Sequence, residues 1–145
     1  MRKTASWKKI LPAKAKIKNK RKLFNFIDFL LSKSGLINID YADVQTVFHK
    51  AKYISYGYGL AWAKQKRGKG IRAGSMALSR LGLDKKFKSV IFNVTGGNEL
   101  SLHEINDAAN QIYSAFSKRA HVIFGATIDK KYRGKIRVDV VGTFY

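Results

Sequence analysis

The sequence predicts an α+β fold, a two-layer α/β sandwich in which a four-stranded mixed sheet carries helices on one face. Three stretches carry that expectation. Ser101-Leu102-His103-Glu104 has the form of a capping box, and behind it Leu102, Ile105, Ala108, Ala109, Ile112 and Phe116 keep helical spacing for four turns. Val90 to Val94 is a short apolar run broken by Gly96-Gly97, which reads as a buried strand. Lys135 to Tyr145 alternates Ile136, Val138 and Val140 with Arg137 and Asp139, which implies a strand with one buried and one wet face. A mixed sheet with helices packed on one face accommodates all three.

The other elements follow in chain order. Residues 1 to 22 hold ten Lys or Arg, no acid and Pro12, with Trp7, Ile10 and Leu11 as their main apolar cluster. They are expected to form a mobile basic arm, a surface-binding amphipathic segment or a transit-peptide-like leader, while a secretory signal lacks its apolar core. Residues 23 to 145 form the domain. Its first piece, 23 to 34, is a short helix whose Leu23, Phe24, Phe26, Ile27, Phe29, Leu30 and Leu31 crowd nearly every face, so burial is expected, with Ser34-Gly35 as the stop. A second helix is expected over 41 to 50, with Val44, Val47, Phe48 and Ala51 on one face.

Tyr53 to Leu60 reads as a strand weakened by Gly57 and Gly59, whose tyrosines either fill a pleated core or stack on bases. Arg67-Gly68-Lys69-Gly70 superficially suggests a phosphate cradle but lacks the full spacing of one, and a solvated loop is the plainer reading. A helix over 71 to 81 follows. His103 falls off the apolar stripe of its helix and is expected at the surface. His121 to Ile128 is expected to be a central strand, joined to the last strand by a hairpin over 130 to 134.

Composition narrows the function. At 145 residues and 46% hydrophobic content the chain is one ordinary domain, not a disordered tail. It has no cysteine, which excludes disulfides and thiolate metal sites, and no apolar run long enough to span a bilayer. The net charge of +20 comes from 29 basic against 9 acidic residues and will attract polyanions. The polyanion-binding candidates are Arg2, Lys3, Lys8, Lys9, Lys20 and Arg21 in the arm and Lys66, Arg67 and Lys69 in the basic loop, toward nucleic acid or an anionic membrane.

In so basic a chain, Gly35-Leu36-Ile37-Asn38-Ile39-Asp40-Tyr41-Ala42-Asp43 is unusual, because it sets an amide and two carboxylates where a loop feeds a helix. Asp40 can cap that helix, and Asp43 in its first turn favours the positive end of the dipole. The same placement would also project all three side chains toward a ligand.

This stretch closely resembles the loop between the central helix and the C-terminal domain of FtsZ, the bacterial relative of tubulin. Val90-Ile91-Phe92-Asn93-Val94-Thr95-Gly96-Gly97 with Glu104-Ile105-Asn106-Asp107-Ala108-Ala109 resembles a second signature of that family, and Ile123-Phe124-Gly125-Ala126-Thr127-Ile128-Asp129 a third. They stand in the family's order over roughly 27 to 143. The resemblance implies an FtsZ/tubulin C-terminal-domain-like fold in which 23 to 34 ends the central helix. It also implies catalytic roles for Asn38, Asp40 and Asp43, pushed into the GTP site of a neighbouring subunit as that family's synergy loop. Asp43 would polarise the water, Asp40 would assist it or a cation, and Asn38 would hold the loop or touch the nucleotide.

GTP, and Mg2+ with it, is implied only at an interface with a partner FtsZ-type subunit or within self-assembled filaments. The glycine-rich phosphate loop of the family's nucleotide domain has no counterpart here, and too few residues precede Lys22 for such a domain. The chain is therefore expected to be half of a composite GTPase site and inactive alone, whether a natural fragment, half of a split protein or a truncated form. A cytoplasmic place at the division site is the matching expectation, with organellar targeting by the basic N-terminus left open. Two other readings stay open: a repurposed basic module on nucleic acid or anionic surfaces, and a regulator that caps filaments without catalysis. The charge itself departs from the family, whose members are usually acidic.

Overall fold

The computed structural model describes residues 7–33, 35–62, 68–82 and 86–145. In chain order they form a 3-10 turn at Trp7–Ile10, β1 (Lys16–Ile17), α1 (Lys20–Ser32), α2 (Tyr41–Phe48), β2 (Tyr53–Trp62) and α3 (Lys69–Leu81). Then come β3 (Ser89–Gly96), α4 (Leu102–Tyr113), β4 (His121–Ile128), a second 3-10 turn at Lys130–Tyr132 and β5 (Lys135–Phe144). The sheet order is β1-β2-β5-β3-β4, with β1 parallel to β2, β3 parallel to β4, and β5 antiparallel to both β2 and β3. The α+β class and the mixed sheet are as expected, but the sheet has a fifth strand, the two-residue β1 at its edge.

Helices lie on both faces rather than one. α3 and α4 bury Ala73, Ala77, Leu81, Ala108 and Ile112 against Val90, Phe92, Val138 and Val140. On the other side α1 and α2 bury Leu23, Ile27, Val44 and Phe48 against Ile54, Tyr56, Ile91 and Val141. The apolar crowding of α1 is the cause, because a helix greasy on nearly every face must be covered and the second face of the sheet covers it. A helical layer on each side of the sheet is also why β5 is less wet than expected: Asp139 is buried, while Lys135 and Arg137 on the same face stay partly exposed.

Three further expectations are corrected. β4 lies at the sheet edge, because α4 carries the chain from β3 to a parallel neighbour on the outside while β5 takes the inner place. Residues 130–134 therefore form no hairpin, since β3 separates β4 from β5; Asp129 caps the turn there by accepting from the Lys131 N–H. Nor is the basic arm loose from residue 7 onward. Trp7 is fully buried, donates its indole N–H to Asp28 at 2.8 Å, and meets Phe24 edge-on at 5.0 Å between ring centroids. β1 then joins the sheet through Lys16 N–H to Lys52 O and Lys18 N–H to Ile54 O.

β2 shows how glycine shapes the layers. A Cβ at Gly57 would stand 2.4 Å from Ala77 O, and one at Gly59 2.0 Å from Ala73 O. The two glycines thus let α3 lie against the strand, while Tyr56, Tyr58, Leu60 and Trp62 stand on the opposite face. No helix among the described residues is long and apolar enough to cross a membrane.

Candidate functional site

The acidic loop is built from both ends. α1 stops at Ser32, and Lys33 is already extended. Gly35 then passes so close to β4 that a Cβ there would lie 2.3 Å from Ala126 O. Ile37 makes a two-way antiparallel bridge with Ala126, donating to its carbonyl at 3.1 Å and accepting from its N–H at 2.9 Å. Ile39 is buried at the base of the second core, against Gly125. A short loop pinned at Gly35, Ile37 and Ile39 has little freedom left.

The three candidate residues are held on this frame. Asn38 is exposed, and its Oδ1 accepts the Gly35 N–H at 2.7 Å, so the side chain braces the turn. Asp40 is the N-cap of α2, and its Oδ1 accepts the Asp43 N–H at 3.0 Å. Asp43 returns the contact, its Oδ2 accepting the Asp40 N–H at 3.0 Å. The bland expectation of helix capping is thus met in full. It uses one oxygen of each carboxylate and leaves Asp40 Oδ2 and Asp43 Oδ1 outside the box. Asn38, Ile39 and Asp40 border a surface depression of about 480 Å3 beside Leu30 and Lys33. A pair of carboxylates held three residues apart can accept hydrogen bonds from water or lend a ligand to a cation. Among the described residues no group of three His, Asp or Glu side chains forms a metal site.

The basic candidates divide. Lys8 and Lys20 both lie over the Phe24 ring, at 5.0 and 5.6 Å from its centroid, and with Lys9 and Arg21 they are exposed. Lys69 is not a free cation, because Glu104 pairs with it at 3.1 Å and both are largely covered. Burial alone would push the Glu104 carboxyl up, but the Ser101 N–H and the Lys69 ammonium outweigh it and hold it below its ordinary value. Arg2, Lys3, Lys66 and Arg67 lie outside the described residues. His103 is exposed as expected and faces Asp107 at 3.5 Å one turn on.

Sequence reasoning missed a polar cluster at the centre of the sheet. Arg137 Nε donates to both oxygens of Asp139, at 3.0 and 3.1 Å, while the Tyr56 hydroxyl donates to Asp139 Oδ2 and accepts from Arg137 Nη2 at 3.1 Å. Burial, reinforced by the Asp139 charge, drives the Tyr56 phenol far above its usual range. Burial also pushes the Asp139 carboxyl up, against the pull of Arg137. The visible signal is Arg-x-Asp within the alternating strand, which puts both side chains on one face, the face expected to be wet.

Residues 56–144 match the family model described as the FtsZ family, C-terminal domain. The cell division protein FtsZ of Magnetospirillum gryphiswaldense is 39% identical over 118 residues, which are 79% of this chain and 20% of that protein. FtsZ of Wolbachia pipientis is 35% identical over 118 residues, 79% of this chain and 36% of that protein. The chain thus spans between a fifth and about a third of these curated relatives. Among solved structures, an FtsZ dimer from M. jannaschii superposes with a TM-score of 0.72 at 30% identity, covering 86% of this chain and 37% of that one. A four-stranded TubZ-Bt filament gives 0.65 at 9% identity, covering 85% of this chain and 32% of that one, a likeness of fold alone.

Proposed function

The chain belongs to the FtsZ family, of which it carries the C-terminal domain, and on that premise we propose that it presents Asn38, Asp40 and Asp43 to the GTP site of a neighbouring FtsZ-type subunit. There it promotes GTP hydrolysis and the assembly or turnover of a division filament. One observation carries this reading: the loop is braced by Asn38 and by the Ile37 bridge to β4, yet it leaves one oxygen of each carboxylate uncommitted at an exposed helix start.

GTP, with its Mg2+, supplies the scissile phosphoanhydride on the partner's side. The residues here fit that group only as the second half of a site, for the Gly68 cap and first turn of α3 are no phosphate cradle: Lys69 is taken by Glu104, and a Cβ on Gly70 would stand 2.6 Å from Glu104 O. In this reading Asp43 Oδ1 accepts a proton from the attacking water and orients it for in-line approach. Asp40 Oδ2 accepts a second hydrogen bond from that water or neutralises a cation, and Asn38 keeps the loop in register. Placement of this kind accounts for most of what phosphoryl transfer asks of a protein.

The test is complementation. The chain is mixed with a GTP-binding FtsZ-type subunit stripped of its own loop acids, and phosphate release and co-sedimentation are measured together. Wild type should restore hydrolysis, whereas Asp43→Asn should bind equally and restore at least tenfold less. Binding without any stimulation by wild type, or equal stimulation by both, overturns the proposal. The chain alone should release no phosphate, and stoichiometric GTP binding to it in a calorimeter would refute the half-site reading.

A further inference from the structure

On β2 the face opposite its two glycines carries Tyr56, Tyr58, Leu60 and Trp62 in succession. The antiparallel register sets Asp139 beside Tyr58, Arg137 beside Leu60 and Lys135 beside Trp62. α1 closes the near end of this face, where Phe26 stacks on Tyr56 at 5.5 Å. Beyond it the surface opens into a cleft of about 370 Å3, with Lys22, Phe26 and Phe29 of α1 on one side, Tyr58 and Arg137 below, and Tyr132 at the far wall. Trp62, further along, is 52% exposed.

Cations crowd these rings. Lys22, Arg80 and Arg137 lie 5.4, 4.9 and 4.3 Å from the centroid of Tyr58, and Lys135 lies 4.5 Å from that of Trp62. Arg80 is fixed there by donating to Tyr58 O at 2.9 Å. The carboxylate lining the cleft is Asp139, buried and engaged by Arg137 and Tyr56, so it balances Arg137 alone. Among the described residues no ion pair engages Lys22, Arg80 or Lys135. Placing positive charge this densely on an open sheet face is unfavourable unless an anion joins it.

We propose that this face binds single-stranded nucleic acid, its phosphates drawn to Lys22, Arg80 and Lys135 and a base lying against Trp62. Aromatic side chains interleaved with Lys and Arg along adjacent strands are the arrangement by which sheet surfaces hold unpaired bases and their backbone together. A duplex hides its bases from such a platform. A lipid surface would reach Trp62 but cannot enter the cleft between α1 and the sheet. This binding does not rest on the GTP-site reading: it uses the β2–β5 side, whereas the acidic loop is tied to β4.

The experiment is fluorescence anisotropy of the full chain with labelled oligo-dT and oligo-U, titrated at several salt concentrations, with phosphatidylserine vesicles and a DNA duplex as competitors. Trp62→Ala, at an exposed position, should weaken binding roughly 5- to 150-fold, and Trp62→Phe should recover most of that. Lys135→Gln should lower the slope of log affinity against log salt by about 0.7, the share of one single-strand phosphate contact. Lys118→Gln, between α4 and β4, should leave affinity within twofold. DNA and RNA arms show which sugar is preferred. Equal effects of Lys118→Gln and Lys135→Gln, unchanged affinity in Trp62→Ala, or displacement by vesicles or duplex at lower concentration than by unlabelled oligonucleotide would each overturn the proposal.

Discussion

Replacing Trp7 with alanine tests whether the N-terminal segment is an appendage or a structural part of the domain. The indole is fully buried between Phe24 and Phe48, with ring centroids at 5.0 and 6.0 Å, and donates to Asp28 at 2.8 Å. Removing a buried Trp costs about 3–5 kcal/mol, cavity included. Asp28 is only half-buried and can turn to water, so its lost hydrogen bond adds little beyond that. Trp7→Phe keeps the aromatic contacts and forfeits the donor, about 1 kcal/mol. Urea unfolding followed by circular dichroism should rank wild type, Trp7→Phe and Trp7→Ala in that order. A loss below about 0.5 kcal/mol in Trp7→Ala, within what a surface change produces, would refute the docking of residues 7–19. The result bears on any truncation as well, since deleting residues 1–22 to probe polyanion binding would also remove Trp7, β1 and the start of α1.

Asp40→Ala removes the cap of α2 and should lower stability by about 0.5–2 kcal/mol. Asp43→Asn keeps an acceptor and loses the charge at the helix start, so it should cost no more than about 0.3–1 kcal/mol; urea midpoints that reverse this order would mean the hydrolysis comparison is confounded by folding. Glu104 supplies the pH dependence. Its folded carboxyl ionises at lower pH than the unfolded one, so its stabilisation is present above the ordinary glutamate range near about 4.3 and is lost as pH falls through the lowered folded value. Wild type and Glu104→Gln should therefore differ in denaturant midpoint at pH 7 and converge toward pH 3; a constant gap across that window would contradict the role given to Lys69 and Ser101.

Most elements were legible because their signals are local. The Ser101/Glu104 box and the periodic stripe behind it put α4 at Leu102–Tyr113, and Asp40 and Asp43 announced α2 by the same chemistry. Asp40 and Asp43 stood out as a close acidic pair in a basic chain, a signal of position that says nothing of chemistry. What failed was non-local. Alternation in 135–139 says which side chains share a face but not what covers that face, so Asp139 read as wet until α1 and Tyr56 enclosed it. β4 is apolar enough for a central strand, and only its parallel pairing with β3 sends it to the edge. Trp7 lay among so many lysines that charge masked its anchoring, and the cation cluster at Tyr58 gathers Lys22, Arg80 and Arg137 from three separate elements, a convergence that no single window of sequence contains.

The bridge between Ile37 and Ala126 also has a kinetic meaning. A free loop of this length would sample many shapes, and a partner would have to wait for, or impose, the right one before locking on. Here two backbone hydrogen bonds to a sheet strand and the close passage of Gly35 have already removed that search. Docking of the loop should then proceed in one concentration-dependent phase, without a slow rearrangement after encounter, and its lifetime should be set by how quickly the partner lets go.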